Sequence, residues 1–228
     1  MFARLNTNNC VLNKQELRNS RYWGEFKVAA YNTAAEYRDI FYNNKIFSDK
    51  QFSRMEDVEF ISILLNVFIS GIDSDTPSSI DKLYSKYDKE FKEFHEIKLK
   101  FDKVMKEIKY IYEYLNGNVK CFTSKQYFYT LFAALSHQFY GIKCGNIQRL
   151  RKFSAAQINC NRAELIDRII QFENDFEDCV MNEDEKSPLF MEFSVFEKNH
   201  RTRTTNKIER TERVKYLSDY LIGANDEK

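Results

Sequence analysis

Residues 77–115 read PSSIDKLYSKYDKEFKEFHEIKLKFDKVMKEIKYIYEYL, and their spacing decides the fold class. Apolar side chains recur at Ile80, Tyr84, Tyr87, Phe91 and Phe94, then at Phe101, Met105, Ile108, Tyr112 and Leu115. The steps alternate four and three, the period of one helical face, with a single gap where Lys98 falls. No glycine or proline interrupts the run, and Pro77 suits a first turn, where its missing N–H costs nothing. The pattern predicts one helix, on the order of 55–60 Å long at the α-helical rise, packed along a neighbour at a shallow angle. A lysine in the seam is locally costly, so a break near Lys98 is the alternative.

The same period extends in both directions. Upstream, helices are expected over 14–22 and over 25–41, the second with Phe26, Ala29, Ala30, Ala34, Tyr37 and Phe41 on one side. A third starts near Met55, carries Glu56 and Asp57 in its first turn, and is apolar nearly all round through Ile61, Leu64, Leu65 and Phe68. Such a helix belongs at the centre, covered on several sides. Downstream, helices are expected over 124–140, from a cap at Asn161 (with Glu164 closing the box) to about Val180, over 188–198, and over 207–222. The acidic segment 182–187 reads as a joint. Two prolines and six glycines in 228 residues also favour long helices. The fold class is mainly α: a multi-helix bundle with one long heptad-like helix and a short strand at Phe2–Leu5.

The N-terminal stretch carries its own signals. Asn13 is a good N-cap, and Glu16, three residues on, completes a capping box; Leu12 and Leu17 sit at the positions of a hydrophobic staple. Residues 2–19, FARLNTNNCVLNKQELRN, resemble the F-x-R-L-N-T-x-x-x-x-L-x-x-Q-E-L-R-N segment of a bacterial family called domain of unknown function 262, whose members include restriction proteins. Gly24-Glu25-Phe26, Phe47 ahead of Arg54-Met55-Glu56-Asp57, Tyr127-Phe128-Tyr129, and Arg203 to Lys207 with Arg210 and Arg213 follow in the family's order.

The resemblance implies a ParB-like domain marked upstream by Asp-Gly-Gln-Gln-Arg and, in many members, a C-terminal His-Asn-His nuclease. Neither is in this sequence, whose three histidines, His95, His137 and His200, are scattered. It therefore implies no catalytic residue here. Residues 1–45 correspond to the tail of the ParB-like domain, 46–182 to a helical bundle, and 183–228 to a C-terminal helical segment. On that basis the chain is expected to begin mid-domain, with an exposed apolar patch around Phe2, Leu5 and the third helix. Arg4, Asn6, Gln15, Arg18 and Asn19 would border the catalytic half of a complete protein. As plain structure, Arg18 is an ion-pairing helix residue.

Composition narrows the function classes. With 35 basic residues against 34 acidic ones the net charge is +1, so any nucleic-acid role must come from a local patch. A content of 43 % hydrophobic and 15 % aromatic residues excludes wholesale disorder. Five irregularly spaced cysteines suit a reducing cytoplasm. The most apolar run, 60–72, is too short to span a bilayer, which needs about 20 residues.

Chemistry concentrates between Lys198 and Lys215, where seven basic residues meet only Glu209 and Glu212. Asn206 is expected to cap the last helix with Glu209 closing the box, so Arg203 and Lys207 flank a helix N-terminus whose free amides favour anions. Arg210 is spaced four, three and four from Val214, Leu217 and Leu221, which turns it along the apolar stripe. An inward arginine needs a carboxylate, backbone carbonyls or a phosphate. Arg203, Lys207, Arg210 and Arg213 are the candidate phosphate contacts, weighed against a structural ion pair plus a solvated basic face. His137 with Cys144 reads as a core pair, and Asp178, Asp184 and Lys186 only faintly as a nuclease set. Neither a cofactor nor a metal is implied, since phosphate-cradling glycine loops and zinc spacings are absent from the sequence. Three functions compete: nucleic-acid or partner binding, a fragment of an NTP-dependent restriction enzyme completed by a ParB-like subunit, and an oligomerising structural protein.

Overall fold

The computed structural model describes residues 12–145, 147, 149 and 158–223. Among them the regular elements are helices: α1 (Lys14–Arg21), α2 (Glu25–Glu36), α3 (Arg38–Asn43), α4 (Asp49–Ser53), α5 (Glu56–Ile69), α6 (Pro77–Lys86), α7 (Phe94–Leu115), α8 (Lys125–Tyr140), α9 (Ile158–Phe176), a π-helical turn (Glu177–Met181), α10 (Phe190–Arg201) and α11 (Lys207–Leu221). The chain is mainly α. The expected strand at Phe2–Leu5 lies outside the described residues.

α1 begins as its sequence dictates. The Asn13 side chain accepts the Glu16 N–H at 2.8 Å, and the Glu16 carboxylate accepts the Asn13 N–H at 2.5 Å, closing the capping box. Leu12 and Leu17 are both solvent-exposed.

The long helix over 77–115 does not form. α6 ends at Lys86 and α7 starts at Phe94, so the break lies well before Lys98. The cause is tertiary. The Tyr87 and Asp88 carbonyls, which would serve a continuous helix, instead accept the Phe26 and Glu25 amides of α2 at 3.2 and 3.3 Å. The Asp88 carboxylate takes the Gly24 N–H at 2.9 Å, and Glu25 takes the Phe91 N–H at 2.5 Å. The approach is so close that a Cβ on Gly24 would fall 1.6 Å from the Asp88 oxygen, which only glycine allows. The apolar period survives the break because Tyr87 and Phe91 still face the core, with ring centroids 4.4 Å apart and Phe26 against both. Lys98, the gap in the period, sits inside α7 and pairs with Glu36 at 2.7 Å and with Asp102.

Other boundaries shift for similar reasons. The helix expected over 25–41 divides at Tyr37, whose hydroxyl bonds Asp102 at 2.7 Å, and α3 turns Phe41 into a cluster with Phe47, Phe60 and Phe128. α9 starts at Ile158, so Asn161 lies within it and not at its cap. The segment 182–187 is a hydrogen-bonded turn, the Asp184 N–H donating to the Asp178 carbonyl at 3.0 Å.

Two helices form the centre. α5 packs against α1, α2, α4, α6, α7 and α8, so the third helix is covered, and the exposed apolar patch expected on it is not there. α8 is buried from Phe128 to Phe139 and lies between α5, α7 and α11. One continuous cluster of buried apolar side chains runs from Phe26 to Ile222, including Phe172, Phe193 and Leu217.

Candidate anion-binding cleft

A cleft of about 440 Å³ opens where helix N-termini converge. Its walls include Asn13 and Lys14 at the start of α1, Glu56 at the start of α5, Pro77 at the start of α6, Lys125 and Gln126 at the start of α8, and Thr205 just ahead of α11. Each N-terminus presents amides without intrahelical partners and a partial positive charge, roughly half an elementary charge apiece. Several such ends aimed into one space form an environment suited to an anion.

The side chains sharpen that preference. Four cations, Lys14, Lys125, Arg210 and Arg213, face three carboxylates, Glu56, Glu59 and Asp75. Every carboxylate is engaged: Glu56 lies 3.5 Å from Lys125, Glu59 2.6 Å from Arg18, and Asp75 pairs with Arg210. Among the described residues, Lys14 and Arg213 have no carboxylate within ion-pair distance. Arg213 is 1 % exposed, and its Nε has no hydrogen-bond partner. Burial, reinforced by the charge of Arg210, pushes its guanidinium down to about 10. It stays protonated at neutral pH, so the protein keeps a buried positive charge beside the cleft.

Arg210 and Arg213 also lace two loops together. Arg210 stacks on Tyr129, its guanidinium 4.1 Å from the ring centroid, and donates to the Asp73 carbonyl at 3.1 Å and the Thr204 carbonyl at 3.2 Å. Arg213 donates to Asn199 O at 3.0 Å and also to Thr204 O, at 3.2 Å. The Asp75 N–H reaches Thr205 O at 3.2 Å, and the Lys207 N–H reaches Ser74 Oγ at 3.2 Å. The α5–α6 and α10–α11 loops therefore hold each other in place. Asp75 keeps one carboxylate oxygen unpartnered, and burial raises its pKa against the pull of Arg210.

The four C-terminal candidates thus divide. Arg210 and Arg213 are buried, their guanidiniums committed to the two loops. Arg203 and Lys207 are exposed, only loosely paired with Glu209 at 3.8 Å and Asp73 at 3.9 Å. Arg203 adopts φ +50°, a left-handed conformation uncommon outside glycine. The expected Asn206–Glu209 capping box does not form: the Asn206 side chain makes no cap bond, and the Ser74 hydroxyl takes the first helical amide instead.

Of the N-terminal candidates, Arg4 and Asn6 lie outside the described residues. Gln15 and Arg18 are buried and do not line the cleft. Gln15 donates to the Tyr84 hydroxyl at 2.9 Å, and Arg18 pairs with Glu59 and Asp81, each at 2.6 Å. Arg18 therefore reaches the cleft only through Glu59, and Asn19 through nothing; its carbonyl accepts from Lys27 at 2.8 Å. His137 and Cys144 meet, Sγ 3.0 Å from Nδ1, but both are buried, and burial pushes the thiol up to about 11. No cluster among the described residues has the ligands for a metal ion.

Lys14, Lys125, Thr204, Thr205 and Asp75 escape sequence reasoning because they come from separate helix starts. The burial of Arg213 was available, since it lies four before Leu217 and seven before Tyr220, the spacing that turned Arg210 inward.

No family model, curated protein or solved structure matches this chain. Among the described residues, no helix is long and apolar enough to cross a membrane.

Proposed function

We propose that this chain is a non-catalytic helical module, of the kind found in restriction or phage-defence proteins, that binds nucleic acid through its basic C-terminal segment. The observation that carries the proposal is the buried charge of Arg213. A buried cation without a carboxylate costs several kcal/mol of desolvation, and the backbone carbonyls that receive it do not neutralise it. An anion seated in the adjacent cleft offsets that cost. Arg203 and Lys207, exposed and weakly paired, supply phosphate contacts at the surface, while Arg210 and Arg213 position the loop that presents them. The resemblance of residues 2–19 to a restriction-protein family supplies the biological setting.

The test is DNA binding measured across a salt series. Replacing Arg203 and Lys207 together with alanine is expected to lower affinity and to reduce the slope of log affinity against log salt by about 0.9 for each phosphate contact removed. Superimposable curves for the parent and the variant would remove the basis of the proposal.

A second reading rests on Leu12, Leu17, Trp23 and Val28, which are apolar and exposed on and beside α1 and α2. They suit a ParB-like catalytic subunit supplied in trans, as the family resemblance implies. Nucleotide hydrolysis that appears only on mixing with such a subunit, and is lost in Trp23→Ala, supports it.

A further inference from the structure

The nucleic-acid proposal leaves open which part of the polymer enters the cleft. We infer that the cleft takes a single terminal phosphate, a phosphomonoester, as found at the phosphorylated end of a single strand or on a small phosphate ester. The inference rests on the binding function proposed above and adds the chemical class of what is bound.

Size is the first constraint. A volume of about 440 Å³ lies in the range of small-molecule pockets, roughly 300–1,000 Å³. A duplex spreads its charge along its whole length, about one per 1.7 Å of axis, and presents no single group of that size. One nucleotide-sized unit does.

Charge is the second. Lys14 and Arg213 are the lining cations without a carboxylate among the described residues. Two uncompensated positive charges match a phosphomonoester, which carries about −1.5 to −2 at neutral pH, better than a diester carrying one. Glu56 and Glu59, on the same walls, oppose a second phosphate following the first through the cleft. A single doubly charged group is therefore favoured over a threaded backbone.

The third is the supply of donors. Unbonded amides of several helix starts and the Thr204 and Thr205 side chains line the space, and the buried Nε of Arg213, without a partner, is an independent sign of an absent anion.

The test uses three single strands of one sequence carrying a 5′-phosphate, a 3′-phosphate or hydroxyls at both ends, with an internal dye read by anisotropy at fixed salt, and calorimetric titration with inorganic phosphate. A phosphorylated strand is expected to bind about tenfold tighter than the hydroxyl strand, the worth of one or two charge-assisted hydrogen bonds. Lys14→Ala, on an exposed residue that leaves the core intact, is expected to erase that difference, and Lys14→Arg to restore it. Equal binding of all three strands, still weakened by the Arg203 and Lys207 substitutions, overturns this inference and leaves the proposed function standing. Inorganic phosphate bound in the calorimeter with no strand binding sustains the site for a small phosphate ester and removes the nucleic-acid function. Binding of neither probe overturns both.

Discussion

His200 shows how burial sets behaviour at the scale of one residue. Its ring stacks on Tyr127 with centroids 3.8 Å apart, and its two nitrogens bond the Phe196 carbonyl at 2.8 Å and the Thr130 hydroxyl at 2.9 Å. The Phe196 carbonyl only accepts, so Nδ1 carries the proton and Nε2 accepts from Thr130. Burial, helped by the charge of Arg213, holds this histidine far below its ordinary range. Below about pH 6.5 the unfolded chain therefore binds a proton that the folded one refuses, and stability falls with pH at up to about 1.4 kcal/mol per unit until the depressed folded value is reached. The buried carboxyls of Asp75 and Glu173, raised by burial, act in the opposite sense, so the histidine contribution has to be isolated. Chemical denaturation of His200→Gln, which retains a partner for Thr130, is expected to show a shallower acid loss than the parent between pH 6.5 and 5. Parallel curves would mean that the imidazole is not held neutral.

At the scale of elements, stability depends on single carboxylates that fasten loops to helices. Glu173 of α9 is 2 % exposed and accepts the Lys120 and Cys121 amides at 2.6 and 2.9 Å, fixing the segment between α7 and α8. Glu173→Ala strands two amide donors in the interior. The expected loss is about 2–4 kcal/mol at one to two per unsatisfied group, read as a lowered denaturation midpoint; a change under about 0.5 kcal/mol, the range of an inert surface site, would contradict the role.

This is also the scale at which sequence and structure part. α1 is legible because its signals are local: a cap, a box and a helix that stops before Gly24. The single helix over 77–115 is wrong because two carbonyls at 87 and 88 are claimed by α2, some sixty residues earlier, and no period within the segment encodes that claim. The candidate site divides likewise. Arg210 and Arg213 are legible from helical spacing, whereas the cleft they border is invisible, being assembled from the starts of helices that lie far apart in the chain.

At the scale of the whole molecule, the continuous core is the decisive feature. α11 packs on α8, α9 and α10, and Phe172, Phe193, Phe196 and Tyr216 interlock across three of these helices. Residues before and after the 182–187 turn share that core. Scanning calorimetry is therefore expected to give one transition whose calorimetric and van't Hoff enthalpies agree. Two resolved transitions would assign 183–223 a separate unit, as the resemblance to the restriction-protein family suggests.

The lacing between the α5–α6 and α10–α11 loops has a consequence in time. The Arg210 bond to the Asp73 carbonyl and the Lys207 amide bond to Ser74 close loops of 137 and 133 residues. A ribosome working at about 5–20 residues per second delivers the second partner many seconds after the first. Until then one wall of the cleft does not exist, and the nascent chain, already able to bury α5 against α2, has no place to hold an anion. Binding competence comes with the last step of folding, so a ligand in the cleft reports that synthesis and folding of α11 are complete.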